Sequence, residues 1–402
     1  MPLGLYISVP FCRSKCTYCN FASDVFSRAV FEKYVTRLRE EISQARETAR
    51  QTGAPLESKV DSVYFGGGTP TLLDVAQLES VFVTIQQNFE VQAGAEITVE
   101  CAPGTLNDQM LRSLAGFGVS RVSLGVQSFV DQEAASVARL HKRTTVVDDV
   151  ARLRAAGISN INVDLIAGLP HQTAASWQRS LDELLMLEVP HASVYMLEVD
   201  DDSRLGRELL AGGKRYHAHF VPDEDLTADL YEIACARLNS AGINQYEISN
   251  FARPGFESTH NLKYWTRQPY LGFGVDAHSM LPLAMLPLAM LPLAKSGAVR
   301  FSNPDSLDQY LAGAAKQHSV IRGQEAVEEA FFLGLRLNRG IDVEALREQF
   351  GTAAICAHEE AIAELLNAGL LETAGSSIRL TRRGRLFSNE VFERFISANS
   401  AV

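Results

Sequence analysis

Cysteine is scarce in this chain, with six residues in 402. That excludes a disulfide-stapled scaffold, which packs many cysteines into a short secreted chain. No apolar run reaches the roughly 20 residues that a membrane-spanning helix needs, although a peripheral membrane contact stays open. An excess of positive charge is missing too. The formal net charge is −11, whereas nucleic-acid binding calls for a basic face, so no nucleic-acid partner is expected. What remains is a globular composition, 46% apolar and 21% charged, long enough for two or three domains. With no targeting segment expected, the cysteine usage predicts a reducing, cytoplasmic setting.

Half of those cysteines are concentrated in one short run. Val9-Pro10-Phe11-Cys12-Arg13-Ser14-Lys15-Cys16-Thr17-Tyr18-Cys19 has the spacing C-x3-C-x2-C. Thiolates this close can share one small metal centre. Structural zinc and ferredoxin-type clusters normally take four ligands, and here Asn20 and Phe21 follow instead of a fourth. Cys12, Cys16 and Cys19 on a [4Fe–4S] cube would leave one iron open, and an open iron can bind and reduce a ligand. A zinc site is the alternative, and it would draw its missing ligand from a distant part of the chain. Cys101, Cys235 and Cys356 are scattered and read as small buried hydrophobes.

The first half of the chain alternates short apolar runs with amphipathic stretches. Strands are expected at 4–9, 62–65, 96–100, 121–125, 160–166 and 192–197, and helices at 31–50, 74–89, 107–116, 145–156 and 175–187. Such alternation implies a parallel sheet with right-handed crossovers, and six βα units instead of eight imply an open, partial barrel. Sites in these folds collect at the C-terminal ends of the strands. The conspicuous residues fall there. The cysteine loop follows the first strand and Gly66-Gly67-Gly68-Thr69-Pro70 the second; Glu100 ends the third; Gln127 follows the fourth; Asp164 lies in the fifth. Three glycines in a row can be only a tight turn, and they can also bring peptide groups against a small charged ligand. Glu100, Gln127, Arg139 and Asp164 suit a zwitterionic nucleoside: carboxylates for an amine and ribose hydroxyls, a guanidinium for a carboxylate. Arg139, expected on a helix, can equally be a solvated charge.

The cysteine loop resembles that of the radical S-adenosylmethionine (SAM) enzymes, whose open iron holds the amino and carboxylate groups of SAM. Within them, nearly the whole chain is similar to the oxygen-independent coproporphyrinogen III oxidase family and its HemW-like heme-chaperone branch. The resemblance implies a partial (β/α)6 radical-SAM barrel. It makes Cys12, Cys16 and Cys19 cluster ligands and gives Tyr6, Tyr18, Gly67, Gly68, Thr69, Glu100, Gln127, Arg139 and Asp164 to SAM. Three departures point to the chaperone branch. Phe21 stands where the oxidases carry a further cysteine; Tyr6 is near the start of the chain, where they carry an extension; and His260-Asn261-Leu262-Lys263-Tyr264-Trp265 matches an HNxxYW motif associated with heme binding. The implied function is binding of heme and its delivery to acceptor apoproteins, by a monomer or dimer. The alternative is oxidative decarboxylation of coproporphyrinogen III by a SAM-derived radical, so the standing as an enzyme stays open.

Read physically, HNxxYW offers an imidazole for iron and flat faces for a macrocycle, or else a local packing cluster. Flanked by Tyr246–Phe251 and Gly272-Phe273-Gly274, His260 is expected to face a ligand, with His278 and His171 as rivals. The chain then divides into a barrel at 1–220, a linking helix with strands and loops covering the mouth at 221–310, and a winged-helix-like domain at 311–402. Helices are expected at 223–241, 325–336, 342–350 and 357–368, and a hairpin at 370–380. The basic run Arg382-Arg383-Gly384-Arg385 reads as a solvated helix start. Met280-Leu281-Pro282-Leu283-Ala284 occurs three times in tandem. Its prolines exclude a regular helix, leaving a slipped duplication or a contacting tongue.

Overall fold

The computed structural model describes residues 1–283 and 297–396. Six strands run parallel in chain order: β1 (Leu3–Val9), β2 (Lys59–Gly67), β3 (Glu90–Cys101), β4 (Arg121–Gln127), β5 (Asn160–Ala167) and β6 (His191–Met196). Each of the six expected strands is present, β3 starting earlier, at Glu90. The crossover helices include Val75–Asn88, Asp108–Gly116, Arg143–Ala155 and Ala174–Met186. Asp74, Asn107 and Thr173 cap three of them by accepting backbone N–H bonds, each worth about 1 kcal/mol. The stretch expected as one helix at 31–50 is two, Arg28–Ser43 and Ala45–Gln51, broken at Gln44.

Side-chain alternation explains how this sheet curls. Leu3, Leu5, Ile7 and Val9 of β1 are fully buried and belong to the main core with Val63, Phe65, Val99, Val122, Leu124, Ile161, Val163 and residues of the helices. Burying each such side chain contributes about 1.5–3 kcal/mol. The intervening residues are polar and meet one another across the strands: Tyr64 with Glu100, Ser123 with Asp164 and Asn162, Asn162 with His191 and Ser193. The period of 2 puts apolar side chains under the helices and polar ones inside the barrel.

The sheet does not stop at six strands. β7 (Asn244–Gln245) and β8 (Asn250–Ala252) lie antiparallel beyond β6. On the other edge β9 (Tyr270–Phe273) runs parallel to β1, followed by antiparallel β10 (His278–Pro282), β11 (Ala298–Ser302) and β12 (Gln317–Ile321). The region expected to hold connecting strands and loops therefore widens the same sheet to twelve strands. The first repeat copy runs into β10, and the tandem repeat after Leu283 lies outside the described residues.

A second core collects Phe331, Phe350, Ile355, Leu365 and Phe395. It sits among helices Gln324–Gly334, Val343–Phe350 and Glu359–Asn367 and a small sheet of β13 (Ile341–Asp342), β14 (Leu371–Ala374) and β15 (Ser377–Leu380). The basic run opens the short helix Arg382–Leu386, capped by Thr381. Arg382 forks onto Glu232 of the Glu224–Ser240 helix at 2.7 and 2.8 Å, so part of its charge is engaged within the chain. Of the scattered cysteines Cys101 is buried, Cys235 is half-buried and Cys356 is exposed. Cys356 ends a short five-residue helix at the surface, so it is not the buried hydrophobe expected. Among the described residues no helix is long and apolar enough to cross a membrane.

Candidate functional site

β1 delivers the chain to the cysteine loop, and backbone bonds fasten that loop to the strand ends. Gly68 N–H donates to Val9 O at 2.9 Å and Thr69 N–H to Phe11 O at 2.7 Å. A Cβ on Gly68 would lie 2.7 Å from Phe11 O, so only glycine permits this approach. Cys12 N–H donates to Asp24 O, Asp24 N–H to Pro10 O, and Lys15 Nζ binds the carbonyls of Phe21 and Ser23 at 2.6 Å. Phe11 stacks on Phe31 at 3.8 Å and roots the loop in the core.

Cys12, Cys16 and Cys19 are free and half-buried. Burial raises the Cys12 thiol, a hydrogen bond to Ser23 lowers it, and the neighbouring Cys19 and Cys16 raise it further. Among the described residues no group of three or more His, Cys, Asp or Glu is drawn together as a ready ligand set. The thiols share one loop but do not converge. As a donor set, three free thiols at the strand ends fit a cluster with one open iron.

Around the loop the strand ends bring most of the expected residues together. Tyr6, Ser8, Phe21, Gly67 and Asp276 line a cavity beside it. Glu100 accepts the Tyr64 hydroxyl at 2.8 Å. Burial lifts its carboxyl to about 7, with Tyr64 pulling down, Asp164 pushing up, and Arg121 and the Gly67 N–H pulling down, so Glu100 can hold or release a proton near neutrality. Asp164 accepts from Ser123 at 3.1 Å and Asn162 at 2.7 Å, and burial raises its pKa.

Gln127 ends β4 with φ 69° beside a register shift. Such an irregularity re-aims a side chain, and the buried Oε1 of Gln127 has no partner. Arg139 lies in the turn after the Asp131–Ser136 helix, not on a helix as expected. Its Nη2 reaches the Tyr18 hydroxyl at 3.4 Å, while its buried Nε is unpartnered. An unpartnered acceptor and an unpartnered donor beside the cysteine loop fit a polar ligand, since buried polar groups are otherwise satisfied.

The polar barrel interior was not singled out from the sequence. Arg121, 1% exposed, and His191, fully buried, sit inside with Tyr64, Ser123, Asn162 and Ser193. The signal was there: Arg-Val-Ser-Leu-Gly and Asn-Ile-Asn-Val-Asp alternate strictly, and an inward row of polar residues needs a polar cavity or a ligand.

His260 sits elsewhere. It lies on the Thr259–Trp265 helix, capped by Ser258, against Gly4 at the start of β1. From Gly4 to Val9, five residues of strand separate it from the cysteine loop, roughly 16 Å at 3.3 Å per residue. The ring is buried; Nδ1 pairs with Ser62 Oγ at 3.0 Å and Nε2 with the Tyr264 hydroxyl at 2.8 Å. Lys263 reaches Asp61 at 2.7 Å, and Arg336 lies over the Trp265 ring at 4.3 Å. The motif expected to face a ligand is packed as a clasp at the N-terminal end of the barrel, with neither ring nitrogen of His260 free. Of the rivals, His278 is exposed, 3.7 Å from Asp276, and His171 touches His217 at the mouth.

Burial, then the charge of Lys263, lowers the pKa of His260 to about 3. In the unfolded chain an ordinary histidine titrates near 6.5. Between these values the unfolded state binds a proton that the folded state refuses, so stability falls as pH drops below about 6.5. The loss from this one group is about 2 kcal/mol at about pH 5. Urea unfolding at neutral and acid pH checks this; a flat profile over that window would remove His260 from the account.

The parallel barrel, the cysteine loop and the polar mouth define a radical SAM protein. Residues 6–184 match the family model of the Radical SAM superfamily, and residues 321–387 match that of the HemN C-terminal domain. The heme chaperone HemW of Lactococcus lactis subsp. lactis (strain IL1403) is 34% identical, over 98% of this chain and 97% of its own. That of Bacillus subtilis (strain 168) is 33% identical, over 97% and 98%. Coproporphyrinogen III oxidase HemN from Escherichia coli, a radical SAM enzyme, shares the fold with a TM-score of 0.80 at 24% identity, covering 98% of this chain and 90% of that one. The chain belongs to the HemW family.

Proposed function

We propose that this protein is a heme chaperone, taking up heme and passing it to acceptor apoproteins. It carries a [4Fe–4S] cluster on Cys12, Cys16 and Cys19, with SAM at the open iron. When bound, that cluster supplies an iron able to ligate and reduce SAM. The reading rests on one observation above the rest: similarity to HemW proteins along nearly the full length of both chains.

The chain's own residues have consistent tasks in this reading. The peptide groups at Gly67, Gly68 and Thr69 and the Tyr6 ring form the wall next to the cluster. Glu100, with a carboxyl that titrates near neutrality, and Asp164 take amine and hydroxyl groups. The open Nε of Arg139 and Oε1 of Gln127 take the remaining polar atoms, and Tyr18 steadies Arg139.

The test uses the anaerobically reconstituted full chain. Hemin is added in one experiment; coproporphyrinogen III with SAM and a reductant in another. Stoichiometric heme uptake without protoporphyrinogen formation is the expected result. Turnover to protoporphyrinogen without tight heme uptake would make the protein an oxidase and overturn the proposal.

A further inference from the structure

We infer that Asp276 is a specificity-determining residue of the SAM site: its carboxylate recognises the positive sulfonium and makes the site prefer SAM over S-adenosylhomocysteine, the uncharged thioether. The inference rests on the SAM-binding reading and deepens it.

Asp276 reaches the cysteine loop from outside the six parallel strands. β9 runs parallel to β1 on the side away from β2, so its C-terminal end opens on the same mouth. Asp276 follows that end and lines the cavity beside the cysteine loop with Tyr6, Ser8, Phe21 and Gly67. β3, which carries Glu100, lies on the other side of β1. Tyr6 registers both carboxylates: burial raises its phenol pKa, and the charges of Glu100 and then Asp276 raise it further, against a hydrogen bond with Ser8.

The turn holds this carboxylate in place. Gly274 N–H donates to Glu41 Oε2 at 2.9 Å, Val275 N–H to the Tyr34 hydroxyl at 3.4 Å, and Asp276 N–H to Pro304 O at 2.9 Å. Tyr34 in turn donates to Ser8 O at 2.5 Å, so one side chain ties the turn to β1. Asp276 has φ 57°, a left-handed value that glycine adopts freely and any residue with a Cβ adopts at a cost. The chain bears that cost and gains a negative charge in the cavity wall. Among the described residues no hydrogen bond occupies the Asp276 carboxylate, and its ionic neighbour is His278 Nε2 at 3.7 Å.

The ligand's chemistry gives the charge a task. The groups proposed for Glu100, Gln127, Arg139 and Asp164 (an amine, hydroxyls and a carboxylate) are common to SAM and S-adenosylhomocysteine. Only the sulfur differs, a permanent cation in one and neutral in the other. It stands two methylenes from the α-carbon, so an amine and carboxylate held at the open iron keep it near the cysteine loop. A sulfonium has no hydrogen on its sulfur to donate, so a fixed opposite charge is what recognises it.

Equilibrium dialysis of SAM, and separately of S-adenosylhomocysteine, against the anaerobically reconstituted full chain tests the assignment. Asp276→Asn keeps the shape and tolerates the left-handed turn. It is expected to weaken SAM about tenfold, or about 1.4 kcal/mol, and to leave the affinity for S-adenosylhomocysteine unchanged. Asp276→Gly, which the backbone favours, should behave alike, with the iron content and thermal unfolding of the unaltered chain. Equal loss of both ligands, or loss of neither, would overturn the assignment while leaving the SAM site standing. Failure of the unaltered chain to bind SAM would overturn the SAM reading and the inference with it.

Discussion

Replacing Cys12, Cys16 or Cys19 singly with alanine is expected to abolish the brown iron–sulfur absorption and the bound iron almost completely. A cluster held by three thiolates has no spare protein ligand. No substitute is at hand: Cys101 is buried on the helix-facing side of β3, Cys235 belongs to the Glu224–Ser240 helix, and Cys356 lies in the C-terminal domain. The fold itself should survive. The loop is fixed by backbone bonds at Cys12, Gly68 and Thr69, by Lys15 and by Phe11 against Phe31, none of which uses a cysteine side chain. Iron and sulfide content after anaerobic reconstitution, with thermal unfolding alongside, separates the two effects. A full cluster in the variant lacking all three thiols would move the ligands elsewhere. SAM binding should disappear with the cluster.

The parallel strands were legible because their residues alternate and their helices carry caps: Asp74, Asn107 and Thr173 mark helix starts in the sequence and perform as such in the structure. Gly67, Glu100, Gln127 and Asp164 were legible for a related reason, since a parallel sheet gathers whatever stands at its C-terminal strand ends, whereas Tyr6, in the middle of β1, came from the family resemblance alone. The edge strands β7–β12 were harder. Each is two to five residues long, too short for periodicity to speak, and each is defined by the neighbour it pairs with. Arg139 was expected on a helix, but the Asp131–Ser136 helix ends before it and Ala138 turns the chain with φ 64°. The location of His260 was out of reach for a different reason. A motif tells which residues stand together, not which end of a barrel they occupy. Only the contacts with Gly4, Ser62 and Glu96 put it at the N-terminal end.

That location leads to the second large effect: His260→Ala should destabilise the fold by about 3–5 kcal/mol. The substitution removes two buried hydrogen bonds at once. It leaves Ser62 Oγ and the Tyr264 hydroxyl without their partner, each unsatisfied group costing about 1–3 kcal/mol, and it opens a cavity between the Tyr6, Tyr64 and Tyr264 rings that now surround the imidazole. Damage should spread to the C-terminal domain, because the same helix carries Trp265 under Arg336 and precedes Arg267, which pairs with buried Glu329 at 3.1 Å. Urea unfolding measures the loss. Its pH dependence distinguishes this role from any other: without His260 the variant has one fewer proton to exclude on folding, so its stability should fall less steeply than that of the unaltered chain as pH drops from about 6.5 toward 3. Hemin titration completes the test. If His260→Ala proves as stable as the unaltered chain yet loses heme, the clasp is a ligand site after all.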